Sequence, residues 1–250
     1  MRYLHHEFRV PKLMVTGLRV DEIYKSVQGE GPRVGEPTIF IRFGGCNLRC
    51  PGWPCDTQHA IDPQFRKEWR FMKPDGIIDV LWHELYIARY DRINICLTGG
   101  EPFLQPNGEL EELVDLLYAQ VSIAEVEVFT NGTQPYRSWA LDNLKFIMDW
   151  KLPGSGEDPY NATRRKNLAN LQAKDAIKFV IKDFDDYKLA KELWYQHVRQ
   201  TPVQVFYGIV WGSPWITNAG LARWVLDDSL PWKLNVQVHN HIWDRTQRGI

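Results

Sequence analysis

The sequence predicts an α/β fold in which mainly parallel strands form a partial, incomplete TIM-type barrel after an extended N-terminal segment. Short apolar runs typical of buried strands alternate with stretches whose apolar residues recur at helical spacing, as in successive βα units. No polar stretch within the 250 residues is long enough to separate two domains. We therefore expect residues 1–250 to form a single domain.

Each predicted element follows from a local pattern. For example, the apolar run at 93–98 stops at Gly99-Gly100, as a buried strand ending in a turn does. The predicted strands cover residues 38–43, 93–98, 126–130, 146–150, 176–181, 203–210 and 234–238, after an extended segment at 18–24. The predicted helices cover residues 78–90, 109–120, 187–199 and 219–226.

The composition excludes several classes of protein. Hydrophobic residues make up 44% and charged residues 24%, which is typical of a globular chain rather than a disordered or fibrous one. Thirty Lys and Arg against 31 Asp and Glu give a formal charge of −1, so no overall field attracts nucleic acid or an anionic membrane. The N-terminus lacks the apolar core of a secretory signal. We expect a cytoplasmic protein with no membrane partner and no direct nucleic-acid partner.

The polar segment at 151–170 contains the basic triplet Arg164-Arg165-Lys166. The composition favours a solvated loop followed by the start of a helix. A mobile lid or a basic contact patch is the functional alternative.

Three of the four cysteines, Cys46, Cys50 and Cys55, fall within ten residues directly after a predicted strand. In a reducing compartment such a cluster indicates metal binding rather than disulfide formation. Three thiolates leave a coordination position open, as catalytic metal sites do, whereas structural zinc is closed by four ligands. His59 can supply a fourth ligand, so a structural zinc site remains an alternative. Cys96 lies in an apolar run and is expected in the core.

Polar or glycine-rich turns follow the next three strands. Ligands of parallel α/β folds collect at the carboxyl ends of the strands, so these turns should surround one site with the cysteine loop. The paired glycines at 99 and 100 allow a ligand to approach the backbone closely, and Glu101 offers an acceptor for an ammonium group. The turns are Thr98-Gly99-Gly100-Glu101-Pro102, Thr130-Asn131-Gly132-Thr133 and Asp149-Trp150-Lys151.

Together, the cysteine cluster, the Gly-Gly-Glu-Pro motif and the Thr-Asn-Gly motif resemble the radical S-adenosylmethionine superfamily. Within it, the chain resembles the 7-carboxy-7-deazaguanine synthase (QueE) family over about residues 22–239. The resemblance implies a lyase that contracts the ring of 6-carboxy-5,6,7,8-tetrahydropterin to 7-carboxy-7-deazaguanine with loss of ammonia, in 7-deazapurine (queuosine-type) biosynthesis. The matching segments are Tyr24 to Gly31, Phe40 to Phe43, Gly45 to Leu48, Cys55 to Thr57 and Gln237 to His239.

The resemblance also implies the cofactors. The three clustered cysteines would hold a [4Fe–4S] cluster, whose fourth iron binds the amino and carboxyl groups of S-adenosylmethionine. Thr57 would be a ligand of Mg²⁺, a hard cation that prefers oxygen. The implied S-adenosylmethionine contacts are Gly99, Gly100, Glu101, Thr130, Asn131 and Lys151.

The chain departs from the family pattern at two places. The usual cluster spacing is Cys-x3-Cys-x2-Cys, whereas four residues separate Cys50 from Cys55 here. Asp149-Trp150-Lys151 stands where the family more commonly has Ser-Pro-Lys.

Arg42 shares one strand face with Thr38 and Phe40, by the period-2 alternation of a strand. An arginine in an apolar strand needs an anion, either a buried carboxylate partner or a bound substrate carboxylate. The resemblance implies the substrate, with His239 near the same carboxylate, so Arg42 and His239 are the predicted catalytic residues. It also assigns Gln28, Glu30 and Gln237 to substrate binding. Alternation on the predicted strand at 234–238 places Asn235, Gln237 and His239 on one face.

The implied partners are a small-molecule pterin, an electron donor such as flavodoxin, and a second copy in a homodimer. Two other functions stay open at this point. A glycyl-radical activating enzyme would share the cluster and the cofactor, and a zinc-stabilised binding module would use the three cysteines with His59.

Overall fold

The computed structural model describes residues 17–53, 55–244 and 247–249. The N-terminal segment predicted to lack a secretory signal lies outside the described residues, as does Arg245 in the C-terminal tail. The strands are β1 (Leu18–Val27), β2 (Pro37–Phe43), β3 (Arg70–Met72), β4 (Ile93–Gly99), β5 (Ile123–Thr130), β6 (Lys145–Trp150), β7 (Ala176–Ile181), β8 (Gln204–Ile209) and β9 (Lys233–Leu234). The α-helices are α1 (Gln58–Ile61), α2 (Pro74–His83), α3 (Asn107–Tyr118), α4 (Ser138–Asn143), α5 (Ala162–Leu168), α6 (Phe184–Leu193), α7 (Asn218–Asp227) and α8 (His239–Ile242).

These strands form one sheet in the order β3-β1-β2-β4-β5-β6-β7-β8-β9. The pairs that β1 makes with β2 and β3 are antiparallel. Every pair from β2–β4 to β8–β9 is parallel. The strands at the two ends of this order, β3 and β9, do not pair with each other, so the barrel is incomplete. The predicted fold class is confirmed.

Three predicted elements differ from the structure. The helix expected at 187–199 is α6, which begins at Phe184 and continues after Leu193 as a π-helix at Trp194–Val198. The helix expected at 78–90 corresponds to α2, which begins earlier, at Pro74. Proline is tolerated in the first turn of a helix because an N–H at that position has no partner within the helix. Helix α2 ends before Tyr86, whose φ of 53° is left-handed. The prediction of a strand at 234–238 is wrong, because β9 contains only Lys233 and Leu234, and a helix begins at His239.

The two faces of the parallel strands have different surroundings. On β2, the side chains of Ile39, Ile41 and Phe43 enter the main hydrophobic core, to which α2 and α3 contribute buried residues such as Leu81 and Leu113. The alternate residues of β2 face the barrel interior. Helices α2 and α3 therefore cover the outer face of the sheet, and the inner face is left for a site.

A small apolar cluster lies on the inner face. Ile147, Ala176 and Phe206 form it, with Phe129 packed against them. The loop after β1 crosses this cluster at Gly31, where a Cβ would be 3.6 Å from the Phe129 ring. The Gly31 N–H donates to Asn235 Oδ1 at 2.8 Å. This packing carries the loop residues before Gly31 into the barrel interior.

The prediction of a solvated basic triplet is wrong for Arg164. Helix α5 turns this side chain into the protein, where it is fully buried, while Arg165 and Lys166 are exposed. The Arg164 guanidinium donates to the carbonyls of Asn131 and Asp158, both at 3.1 Å. Arg164 thus stabilises the turn after β5 through the hydrogen bond to the Asn131 carbonyl.

No helix in the described part of the chain is long and apolar enough to cross a membrane.

Strand β4 ends at Gly99, whose φ of +119° is one that residues with a Cβ rarely adopt. A Cβ there would lie 2.2 Å from the Phe43 carbonyl oxygen. We expect Gly99→Ala to lower the free energy of unfolding by about 2–4 kcal/mol, measured by urea denaturation. The matched control is Gly76→Ala in α2, where a Cβ meets nothing within 4 Å. It should leave stability unchanged or raise it by up to about 1 kcal/mol. Equal losses in both variants would contradict this account of Gly99.

Candidate active site

A cavity of about 310 Å³ lies inside the barrel at the carboxyl ends of the strands. The predicted site residues line it, except for Glu101 and Gln237. Those that do are Gln28, Glu30, Arg42, Cys46, Cys50, Cys55, Thr57, Gly99, Gly100, Thr130, Asn131, Lys151 and His239. Residues from both ends of the chain and from five of the strand ends thus converge on one space.

The cysteine loop is anchored to the turn that follows β6. Cys50 has a φ of 44°, and its N–H donates to Glu157 Oε1 at 2.7 Å. Gly52 donates from its N–H to the Ser155 carbonyl at 2.9 Å, and Lys182 donates to the Gly52 carbonyl at 3.1 Å. The loop with the longer Cys50–Cys55 spacing therefore docks against the turn and keeps all three thiols at the cavity.

The three thiols are free and share one electrostatic environment. Burial raises the pKa of each thiol, and that of Cys50 to about 12. The Lys151 ammonium opposes this rise at all three. Thiolates in such a buried place need a cation, which a metal centre supplies. The donor set fits a cluster held by three cysteines.

His59 does not join the cysteines. Its Nδ1 lies 2.6 Å from Asp21 Oδ2, and its Nε2 lies 4.0 Å from Glu22. Asp21, Glu22 and His59 form one group of potential metal ligands. However, Arg42 pairs with Glu22 and Arg248 pairs with Asp21, so cations already neutralise both carboxylates. This arrangement argues against a zinc site made of the cysteines and His59.

The turns after β4 and β5 are tied together by Glu101. Its carboxylate is fully buried and accepts hydrogen bonds from the Phe103 N–H, the Thr130 hydroxyl and the Asn131 N–H, at 3.1, 2.9 and 2.8 Å. Burial outweighs these bonds and raises the pKa of Glu101 to about 6. Glu101 thus orders both turns, and its predicted contact with an ammonium group of the cofactor stays a prediction.

A series of alternating charges crosses the cavity. Lys151 Nζ lies 2.9 Å from Asp149 Oδ2, and Lys178 Nζ lies 3.5 Å from the same oxygen. Lys178 Nζ is also 2.8 Å from Glu30 Oε2. Burial alone would raise the pKa values of both carboxyls, but Lys178 lowers that of Glu30, and Lys151 with Lys178 lowers that of Asp149. The series therefore stays ionised from Glu30 to Lys151.

Sequence reasoning missed Lys178, and it gave Asp149 no role although it placed the turn that contains Asp149 at the site. Both line the cavity. The signal for Lys178 was present, because it is a lone charge inside the apolar strand at 176–181, as Arg42 is in its own strand. Cys96 was expected in the core; it is buried, but it also lines the cavity.

Gln237 reaches the site through Glu30. Its Nε2 donates to Glu30 Oε1 at 2.9 Å, and Asn235 Nδ2 donates to the same oxygen at 3.2 Å. His239 packs so closely on Gly29 that a Cβ there would lie 1.8 Å from its Nδ1. Burial lowers the pKa of His239, and Glu30 opposes that shift. A short turn and helix, rather than strand alternation, bring these side chains together.

Arg42 has a carboxylate partner within the protein. Its Nε donates to Glu22 Oε1 at 2.7 Å, and Nη2 donates to the Tyr24 hydroxyl at 2.5 Å. Of the two alternatives for this arginine, the structure contains the buried Arg–Glu pair, and Arg42 also faces the cavity. A substrate carboxylate would bind to a guanidinium already oriented by these contacts. Thr57 also lines the cavity, and its hydroxyl lies 3.4 Å from Cys55 Sγ.

Comparison with known proteins adds independent findings. Residues 27–170 match the family model described as a 4Fe-4S single cluster domain. The 7-carboxy-7-deazaguanine synthase of Koribacter versatilis is 32% identical over 93% of this chain and all of its own length. That of Leptospira interrogans is 35% identical over 92% of this chain and 97% of its own length. This chain belongs to the 7-carboxy-7-deazaguanine synthase family.

A solved structure agrees with the fold of this family member. The crystal structure of QueE from Escherichia coli matches with a TM-score of 0.65 at 23% identity, covering 87% of this chain and 92% of that one. The family resemblance, the [4Fe–4S] cluster and S-adenosylmethionine predicted from the sequence are confirmed. The Mg²⁺ ion and the roles of individual residues stay predictions.

The ligand assignment in this synthase family member is tested by iron content. We expect Cys50→Ala to lose most of its iron and its visible absorbance after anaerobic reconstitution, because two thiolates cannot hold the cluster at three corners. His59→Ala should retain the iron of the wild type, since the His59 ring contacts Asp21 instead. Loss of iron in the His59 variant to the same extent would contradict the assignment.

Proposed function

We propose that this chain is a 7-carboxy-7-deazaguanine synthase, which converts 6-carboxy-5,6,7,8-tetrahydropterin to 7-carboxy-7-deazaguanine with loss of ammonia. The observation that carries the proposal is the convergence of two sets of side chains on one cavity. One set is the three thiols beside Lys151, and the other is the polar group of Gln28, Glu30, Arg42 and His239. Membership of the synthase family supports the same reaction.

The cluster and S-adenosylmethionine, when bound, supply the radical that removes a hydrogen atom from the substrate. The three cysteines would hold the cluster, and the turns with Gly99, Gly100, Thr130 and Asn131 would hold S-adenosylmethionine, with Lys151 beside it. Glu101 keeps the two turns in register. The chain's contribution to this part of the reaction is therefore placement.

On the substrate side, Arg42 and His239 would bind the carboxylate, and Glu30 would accept hydrogen bonds from the pterin. Lys178 lowers the pKa of Glu30 against the effect of burial, so Glu30 is an ionised acceptor at neutral pH. Lys178, Asn235 and Gln237 donate to it. A carboxylate has about four acceptor sites, which leaves one for the ligand.

The C-terminal segment restricts the mouth of the cavity. Trp243 and Arg248 line it together with His239. Arg248 is held by hydrogen bonds to Glu68 at 3.1 Å and to Asp21 at 3.2 Å. A cavity with a narrowed mouth suits a small molecule and limits the water that would quench a reactive intermediate. It favours a pterin over the protein substrate of a glycyl-radical activating enzyme.

We further propose a cytoplasmic location, an electron donor such as flavodoxin, and a homodimer. A reducing compartment would keep the three clustered thiols available for the cluster. The proposed reaction also needs an external electron, because no side chain of the site is a one-electron reductant.

The function is tested by turnover. We expect the anaerobically reconstituted protein, given the carboxytetrahydropterin, S-adenosylmethionine, Mg²⁺ and a reductant, to form 7-carboxy-7-deazaguanine, measured by chromatography with mass detection. Cleavage of S-adenosylmethionine without this product would reject the synthase and leave a different radical enzyme. A colourless protein with one bound zinc would support the binding module instead.

The proposed Mg²⁺ site is tested at Thr57. A hydroxyl oxygen suits this hard cation, whereas a methyl group does not bind it. We expect Thr57→Val to raise the Mg²⁺ concentration for half-maximal rate by about tenfold or more, because the variant loses one ligand. Thr57→Ser, which keeps the oxygen, should stay close to the wild type. If both variants respond to Mg²⁺ like the wild type, Thr57 is not a ligand.

A further inference from the structure

A buried carboxylate lies beneath the cavity and is used in none of the steps above. Glu127, on the inner face of β5 two residues before Phe129, is fully buried. Its Oε1 accepts a hydrogen bond from the Nε2 of Gln28. Its Oε2 is buried and has no hydrogen-bond partner among the described residues. Carboxylates without exposure are rare in proteins unless they are paired, so this one calls for a role.

Glu127 determines which end of the Gln28 amide faces the cavity. An ionised carboxylate can only accept, so the amide nitrogen must point toward it. Cys96 lies on the same side, where a hydrogen bond from Gln28 opposes the rise that burial causes in the pKa of its thiol. The amide oxygen is therefore on the opposite side. It accepts the Glu30 N–H at 3.3 Å, a weak bond, and keeps a second lone pair.

We infer that Glu127 is a positioning residue, which holds the Gln28 amide with its oxygen toward the substrate so that Gln28 accepts a hydrogen bond from an N–H group of the pterin. Gln28 lines the cavity, whereas Glu127 lies behind it. Pterins carry N–H donors along their ring edge, and an amide turned the other way would place a donor against a donor. The inference deepens the proposed function and rests on it.

The same geometry makes substrate affinity depend on pH. Burial raises the pKa of Glu127 to about 7, although Gln28, Lys145 and Arg33 oppose the rise. Below that pH the Glu127 carboxyl group is protonated and can donate a hydrogen bond to the amide oxygen of Gln28. The Gln28 amide can then rotate by half a turn, so that its nitrogen faces the cavity. Affinity for the pterin should therefore be full above about pH 7 and fall as the pH drops through that value.

The groups around Glu127 do not produce the same change. The titratable and charged side chains that face it are Cys96 from β4, Lys145 from β6, Arg33 from the turn after β1, and Glu125 from its own strand. Burial raises the pKa of Cys96 well above its ordinary value, so the thiol keeps its proton near pH 7. Lys145 and Arg33 pair with Glu125, at 3.5 Å in the case of Lys145. Elsewhere in the cavity, burial lowers the pKa of His239, so the test compares the variants with the wild type at each pH.

The experiment measures equilibrium binding of pterin-6-carboxylate, followed by its fluorescence, to the reconstituted protein with S-adenosylmethionine. Glu127→Gln keeps the shape but removes the charge, so its amide no longer dictates the orientation of Gln28. We expect this variant to bind about tenfold more weakly than the wild type at about pH 8, the loss of one hydrogen bond, and about equally at about pH 6. The matched control is Glu112→Gln, an exposed carboxylate on α3, which should follow the wild type at both pH values.

Each outcome bears on the inference. A ratio of affinities between Glu127→Gln and wild type that is the same at both pH values would overturn the positioning role, while the proposed function would stand because the wild type binds. If the wild type binds no pterin at either pH, the proposed function fails and this inference fails with it. Should Glu127→Gln not fold, as judged by thermal unfolding, Gln28→Ala replaces it. The affinity ratio of that variant to wild type must then show the same pH dependence, and a constant ratio rejects the inference.

Discussion

The pairing of Lys178 with Glu30 and Asp149 is the interaction on which the rest of the site depends. Removing one member of a buried ion pair leaves an uncompensated charge that costs about 3–5 kcal/mol. In the structure, the Lys178 ammonium lies 2.8 Å from one carboxylate and 3.5 Å from the other. Each charge is therefore tolerated because the others are present. This mutual dependence fixes the loop after β1 against the ends of β6 and β7.

The series also joins the two halves of the chemistry. Asp149 contacts Lys178, which belongs to the substrate side, and Lys151, which influences all three thiols. This position is the one at which the chain departs from the family's Ser-Pro-Lys pattern. A carboxylate there can hold two ammonium groups, which a serine hydroxyl cannot do by charge. The aspartate at position 149 thus supplies the negative charge that pairs with both Lys151 and Lys178.

The longer cysteine loop is accommodated by contacts outside the cluster site. Glu157 receives the N–H groups of Arg49 and Cys50, and Lys182 holds the Gly52 carbonyl. These partners come from the segment after β6 and from the end of β7. The loop can therefore differ in length without moving the thiols from the cavity, because its fixed points are on other elements.

The sequence by itself determined the fold class and the family, because apolar periodicity and the motifs that follow each strand are local in the chain. It also located Arg42, since a lone charge in an apolar strand is visible without a structure, and the same rule applied to Lys178 would have found it. Only the tertiary structure decided which charges pair. The contacts of Lys178 with Glu30, of Gln28 with Glu127 and of His59 with Asp21 join residues 148, 99 and 38 positions apart. Which partner satisfies a buried polar group depends on how the strands curve around the interior, and no local pattern contains that information.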